Sequence, residues 1–224
     1  MVAVAIRRGS WFVVGPKRVG KEPVLADANG LSDEKVFERY RRGESVLLRT
    51  LIERHHDDLI RFLTRLIGDR SAAEDVFQET FLQIHVSAET FDSTRKFRPW
   101  LFTIAANKGR DYLRKRGRRQ SMEISAPVGP DGDGPSIVDL MRIDVPTPDA
   151  ALDAAERDEQ VQRALGSLSP TMREILLLAY FQRLTYAQMA EDLEIPLGTV
   201  KSRLHAAVAA FARAWQGIED SKRQ

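Results

Sequence analysis

Leu184 to Ala207 reads LTYAQMAEDLEIPLGTVKSRLHAA, two short helical patterns that meet at Glu194-Ile195-Pro196 with no room for a loop between them. Thr185 is placed to cap the first helix, and Gln188 three residues on completes a capping box. Met189, Ala190 and Leu193 supply its inward face. After the turn, Val200, Leu204, Val208 and Phe211 recur every three or four residues and bury one side of the second helix. Thr199, Lys201, Ser202, Arg203 and His205 are left pointing outward. Arg and Lys pair bidentately with guanine edges, Ser and Thr reach phosphates or bases, and a helix fits the major groove. The stretch therefore predicts a helix-turn-helix that binds duplex DNA. Its plainer alternative is a helical hairpin whose polar face is merely solvated.

The chain around it has 224 residues, enough for one large domain or two small ones. It has no cysteine, which excludes a disulfide framework and a thiolate metal site and suits a reducing cytoplasm. No apolar run approaches the roughly 18 residues that span a bilayer. The apolar residues Val2 to Ile6 precede the charges Arg7 and Arg8, the reverse of a secretory signal. A soluble, cytoplasmic protein without membrane insertion is expected. The net charge of +2 conceals a strong polarity. Arg95 to Arg119 holds ten Lys or Arg against one acid, Asp111, whereas Ser121 to Gln160 holds ten Asp or Glu against two Arg. The basic block can track a phosphate backbone, and the acidic block should avoid DNA or imitate it.

Residues 1–30 show no sustained period and read as a flexible extension. Within them Gly15-Pro16-Lys17-Arg18-Val19-Gly20-Lys21 has the spacing of a phosphate-binding loop, but Glu22 and Pro23 replace the required hydroxyl and helix start. Residues 31–120 read as helices. Ile52, His55, Leu59, Phe62, Leu63, Leu66 and Ile67 form one apolar stripe, ended by Gly68. Ser71 with Glu74 predicts a capping box for a helix whose inner face is Ala73, Phe77, Phe81 and Ile84. Asp75, Gln78, Glu79 and Leu82 share a different side. Ser87 to Arg98 is expected to be a loop carrying Phe91 and Phe97, and a third helix is expected from about Pro99 into the cationic Arg114 to Arg119. Residues 121–148 are rich in Pro, Gly and acids and read as an extended linker. Helical patterning resumes at Asp149, and Ser169-Pro170 reads as a cap with proline at the first helical position. The expected fold is all-α, with two small helical domains (31–120 and 149–224) on a flexible acidic tether.

AEDVFQETFLQ (73–83) followed by FRPWLFTIAANKGRDYLRKRGRR (97–119) resembles the second conserved domain of bacterial RNA polymerase sigma factors. LSPTMREILLLAYFQRLTYAQMAEDLEIPLGTVKSRL (168–204) resembles their fourth. With a short linker between them, the chain resembles an extracytoplasmic-function sigma factor. That resemblance implies a transcription initiation factor, not an enzyme, which binds the polymerase core and recognises the −10 and −35 promoter elements. Asp75, Gln78, Glu79 and Leu82 match the positions that dock on the β′ clamp helices, and the fourth domain would meet the β flap. Phe91, Lys96, Phe97, Arg98, Trp100, Asn107, Arg110, Asp111 and Arg114 match the material that opens the −10 element and holds the non-template strand. Aromatics among cations suit single-stranded DNA; Phe97 and Trp100 read equally as core residues. Thr199, Lys201, Ser202, Arg203 and His205 match the −35 recognition positions. Ala206 to Ala210 is small and apolar where relatives carry further arginines, which implies fewer phosphate contacts. The resemblance also implies an anti-sigma partner, and a linker that occupies the polymerase channel for nascent RNA; a passive charged spacer fits that linker equally well.

Neither a catalytic set nor a cofactor site emerges. His55-His56-Asp57-Asp58 imitates a metal cluster, but neighbouring positions on a helix point about 100° apart, so no metal site is expected. The rival readings are a stand-alone helix-turn-helix regulator and a nucleotide hydrolase built on Gly15 to Lys21.

Overall fold

The computed structural model describes residues 3–7, 10–14, 30–120, 151–182 and 184–222. Residues 15–21, with their loop-like glycine spacing, and the acidic segment 121–148 lie outside the described residues. A two-stranded antiparallel hairpin opens the chain, β1 (Ala3–Arg7) pairing with β2 (Ser10–Val14) in the register Ala3 to Val14 and Arg7 to Ser10. No strand was expected there. The runs AVAI and WFVV are apolar throughout, so they lack the alternation that announces a half-buried strand.

The first helical group is α1 (Asp33–Arg41), α2 (Leu47–Ile67), α3 (Arg70–Val86) and α4 (Phe97–Gln120). Helix α2 is its axis, with α1, α3 and α4 packed around it. Its stripe of Ile52, His55, Leu59, Phe62, Leu63, Leu66 and Ile67 is buried, as the periodicity predicts, and Leu48 and Leu51 extend it. Gly68 ends the helix at φ +82°, a left-handed position that glycine adopts without a Cβ penalty. Gly109 of α4 is needed for a different reason. A Cβ there would lie 2.7 Å from Cδ2 of Leu66, so glycine lets α4 pack against the Leu66 side chain without displacing it.

Two helix starts differ from the sequence expectation. Asp69, not Ser71, caps α3, its side chain accepting from the Ala72 N–H at 3.0 Å. An aspartate two residues upstream takes the same role, leaving Ser71 and Glu74 exposed within the first two turns. Helix α4 begins at Phe97 rather than Pro99 because another helix caps it: the Glu34 carboxylate accepts the Phe97 N–H at 3.1 Å. Pro99 falls in the first turn, where its missing N–H leaves no bond unmade.

The second group is α5 (Ala151–Gly166), α6 (Pro170–Gln182), α7 (Tyr186–Asp192) and α8 (Leu197–Lys222). Ser169 accepts from the Met172 N–H at 3.3 Å, so the cap before Pro170 is real. Both halves of the Thr185–Gln188 capping box form. Helix α7 closes in a Schellman turn, with Ile195 N–H on Ala190 O at 3.1 Å and Glu194 N–H on Glu191 O at 3.3 Å. Glu194 takes the left-handed place at φ +53° without being glycine.

The two groups pack on one another through α2 and α4 against α6. Phe181 meets the rings of Phe62 (centroids 5.7 Å, edge-on) and Phe102 (6.2 Å, stacked). Arg173 donates to the carbonyls of Leu165 (2.8 Å), Gly166 (3.1 Å) and Leu66 (3.1 Å), so one guanidinium closes the C-terminal ends of α5 and α2 together. Among the described residues no carboxylate pairs with it, and burial pushes its pKa below the ordinary arginine value. Among the described residues no helix is long and apolar enough to cross a membrane.

Candidate nucleic-acid interface

Helix α8 carries the first surface. Val200, Leu204, Ala207 and Val208 are buried against the second group, which turns Lys201, Ser202, Arg203 and His205 outward and leaves Thr199 at the edge. Ser202 Oγ donates to the Thr199 carbonyl at 3.2 Å, holding the first turn closed. Among the described residues Lys201, Arg203 and His205 have neither a hydrogen bond nor an ion pair. Ala207 to Ala209 are buried where α8 passes through the core, so this stretch is packing rather than surface.

Helix α4 carries the second surface. Trp100, Asn107, Arg110, Asp111 and Arg114 fall on one side of it, with Asn107, Arg110 and Arg114 exposed. Lys96 is exposed just before the helix and Arg98 half-buried in its first turn. The cations are engaged rather than free. Arg98 donates to Asp58 at 2.9 Å and to the Phe181 carbonyl at 3.2 Å, with its guanidinium over the Phe102 ring. Arg110 forms a two-pronged pair with Glu174, Nε to Oε2 at 3.0 Å and Nη2 to Oε1 closer still. Arg114 reaches Asp111 at 2.8 Å. The Glu174 carboxylate holds the Arg110 guanidinium even more basic than usual. Burial works against the Asp58 carboxylate, yet hydrogen bonds from Arg98 and Arg61 outweigh it and lower its pKa.

Phe91 and Phe97 do not belong to this surface as the sequence expectation placed them. Phe97 is fully buried and Phe91 nearly so. Phe37, Phe91, Phe97 and Trp100 form one cluster, with Phe91 edge-on to Phe37 at 5.2 Å and Trp100 at 4.8 Å from Phe91. A ring enclosed by other rings offers no face to a base. Trp100 packs against Phe37, Phe91 and Phe97 but is only half-buried, so part of it remains open to solvent.

A third surface lies on α3. Asp75, Glu79 and Leu82 are exposed and Gln78 is at their edge, while Ala72, Ala73, Val76, Phe77, Phe81 and Ile84 are buried behind them. Asp75 and Glu79 have no ion pair among the described residues. Leu82 is 47% exposed, and one turn on, Val86 is 71% exposed, a member of the stripe that sequence reasoning missed. The signal was the helical spacing 75, 79, 82, 86, in steps of four, three and four residues. A shallow hollow lined by Glu79, Lys108, Asp111, Tyr112, Lys115 and Arg116 joins this surface to that of α4.

The histidine–aspartate run at 55–58 is a packing feature. His55 is buried and its Nε2 lies 2.8 Å from Asp33, which Arg54 also holds at 2.8 Å. Burial works against the Asp33 carboxylate, but the hydrogen bonds from His55 and Arg54 outweigh it and hold its pKa below the ordinary range. His56 pairs with Asp57, and among the described residues no group of three potential metal ligands converges.

Comparison with known proteins gives these surfaces a context. The Sigma-70 region 2 model matches residues 51–119 and the Sigma-70 region 4 model residues 158–211. ECF RNA polymerase sigma factor SigL of Mycobacterium tuberculosis is 38% identical over 178 residues, 79% of this chain and 93% of the relative. ECF RNA polymerase sigma factor SigW of Bacillus subtilis is 28% identical over 172 residues, 77% of this chain and 90% of the relative. Among solved structures, CnrH in complex with the cytosolic domain of CnrY superposes with a TM-score of 0.55 at 22% identity. The alignment covers 83% of this chain and 97% of CnrH, a likeness of fold.

Proposed function

The chain belongs to the ECF sigma factors of RNA polymerase, and from that premise we propose how its surfaces divide promoter recognition. It is a promoter-specific transcription initiation factor that works with RNA polymerase, and not an enzyme. In this reading residues 31–120 dock on the β′ clamp helices through Asp75, Gln78, Glu79 and Leu82, with Val86 lengthening the apolar edge. Lys96, Arg98, Trp100, Asn107, Arg110, Asp111 and Arg114 hold the melted −10 strand, cations on phosphates and the open part of Trp100 beside a base. Phe91 and Phe97 serve from beneath, setting where Trp100 sits. Residues 149–224 meet the β flap and read the −35 element in the major groove through Thr199, Lys201, Ser202, Arg203 and His205. Residues 121–148 tether the two. The protein acts in the cytoplasm, where the polymerase is, and an anti-sigma factor restrains it, as the solved RpoE of Bartonella quintana is bound by the anti-sigma factor NepR.

The observation that carries the docking reading is the pair of exposed, unpaired acids Asp75 and Glu79 running into exposed Leu82 and Val86 on a helix whose opposite face is buried. Unpaired charge beside a contiguous exposed apolar edge marks a contact surface rather than a solvated one. Reversing both charges (D75K/E79K) should weaken co-purification with core polymerase at least about tenfold while helical content stays constant. Core binding at wild-type strength would remove α3 from the interface.

A further inference from the structure

The second helical group lays its carboxylates on the arginines of the first. Glu174 of α6 grips Arg110 by two hydrogen bonds, and Asp192 and Glu191 at the end of α7 meet Arg95 at 2.8 Å and 3.1 Å. The Phe181 carbonyl takes Arg98 at 3.2 Å. A carboxylate held two-pronged by a guanidinium reproduces the geometry in which arginine holds a phosphate. Glu174 is 6% exposed, so this charge is committed to Arg110: a buried carboxylate without its partner is strongly destabilising. Phe181, packed against the touching rings of Phe62 and Phe102, supplies the apolar anchor that keeps these polar contacts in register.

We propose that this packing is an autoinhibitory contact, in which Glu174, Glu191 and Asp192 stand in for the phosphates of the promoter strand and hold the free chain closed. The proposal rests on the reading of Arg98 and Arg110 as strand contacts, and adds to them Arg95, exposed beside Lys96 and held by Glu191 and Asp192. In the closed state those contacts are occupied before DNA arrives. Single-stranded DNA then binds only the fraction of molecules in which α6 has left α4, and apparent affinity falls by that fraction. Docking of each group on its own site of the polymerase separates them and frees the arginines, so strand binding is coupled to holoenzyme assembly. A passive interface would show no such coupling, since only a surface shared with the DNA competes with it.

The chain has no cysteine, so labels can be placed at S71C and S221C, exposed positions of α3 and α8. In the labelled full chain, E174Q/E191Q/D192N should lower energy transfer between the dyes. Without core polymerase it should also bind a fluorescent mixed-sequence single-stranded DNA oligonucleotide about tenfold more tightly. E38Q/E53Q/D220N, which removes as many charges away from the contact, should gain far less, separating release of the arginines from a general change in charge. The milder E191Q/D192N spares the buried Glu174 and should shift both readouts in the same direction, so a folding failure at position 174 still leaves a decisive experiment. Unchanged oligonucleotide affinity, or an equal gain in the control, overturns the proposal. Adding R110A to the opened variant should reduce the gain; a gain that survives in full overturns the mimicry at Arg110. Core-dependent transcription by R110A, measured alongside, decides the underlying strand-contact reading independently.

Discussion

On α8, Lys201, Arg203 and His205 reach solvent without a partner among the described residues, whereas on α4 Arg98, Arg110 and Arg114 are each tied to a carboxylate. The two surfaces use the same chemistry and stand in opposite states. In the proposed reading α8 enters an intact groove, which needs only free side chains on a rigid frame. A surface that holds a melted strand is useful only after the duplex has opened, so free cations there would favour unproductive binding along any DNA. Composition alone does not separate a ready surface from a withheld one; the partners of each guanidinium do.

The sharpest way to break this comparison is to ask whether the rings under α4 belong to the fold or to the DNA. Phe97 is fully buried among aromatic rings, so Phe97→Ala should cost about 3–5 kcal/mol in urea denaturation of the full chain. Unchanged stability with lost strand binding would return Phe97 to the DNA surface. Asp33 tests the footing of the same surface, since α1 also carries the Glu34 cap of α4. Asp33→Asn should cost about 1.5–3 kcal/mol, from charge-assisted hydrogen bonds to His55 and Arg54. The folded-state pKa of Asp33 is lowered, so its contribution is complete above the ordinary carboxylate pKa and is lost as pH falls through the folded value. Acid titration followed by fluorescence should therefore show a loss in the wild type that Asp33→Asn lacks; identical acid profiles would exclude the anchoring role.

On the free surface, Arg203→Ala should weaken binding to a duplex −35 fragment by about 1–3 kcal/mol and relax preference at one base position. A uniform loss over all sequences would make Arg203 a phosphate contact instead. The smallest effect concerns the turn that aims α8. Glu194 sits at φ +53°, where a side chain costs energy that glycine avoids. Glu194→Gly should raise stability by about 1 kcal/mol without changing duplex affinity; a fall in melting temperature would mean that the Glu194 side chain contributes more than its backbone strain costs.

Much of this was legible before any coordinates. The Thr185 capping box, the stop at Gly68 and the outward set on α8 follow from local spacing, and local spacing is what a sequence prints. The misplaced features share a cause. Phe97 reads the same whether it waits for a base or fills a core, because a connection has no period to say which way a ring points. The true cap of α4 belongs to Glu34, 63 residues away, and the partner of Arg110 is Glu174, 64 residues away. No pattern within a helix reveals either. Glu194 escaped notice because its turn is one that sequence reading associates with glycine.

The packing of Phe181 against Phe62 and Phe102 gives the contact between the halves of the molecule a thermal signature. Burial of apolar rings lowers heat capacity and loses strength on cooling, while ion pairs such as those of Arg95 lose strength as dissolved salt rises. Warm, dilute solution should therefore hold the halves together, and cold, saline solution should let them part.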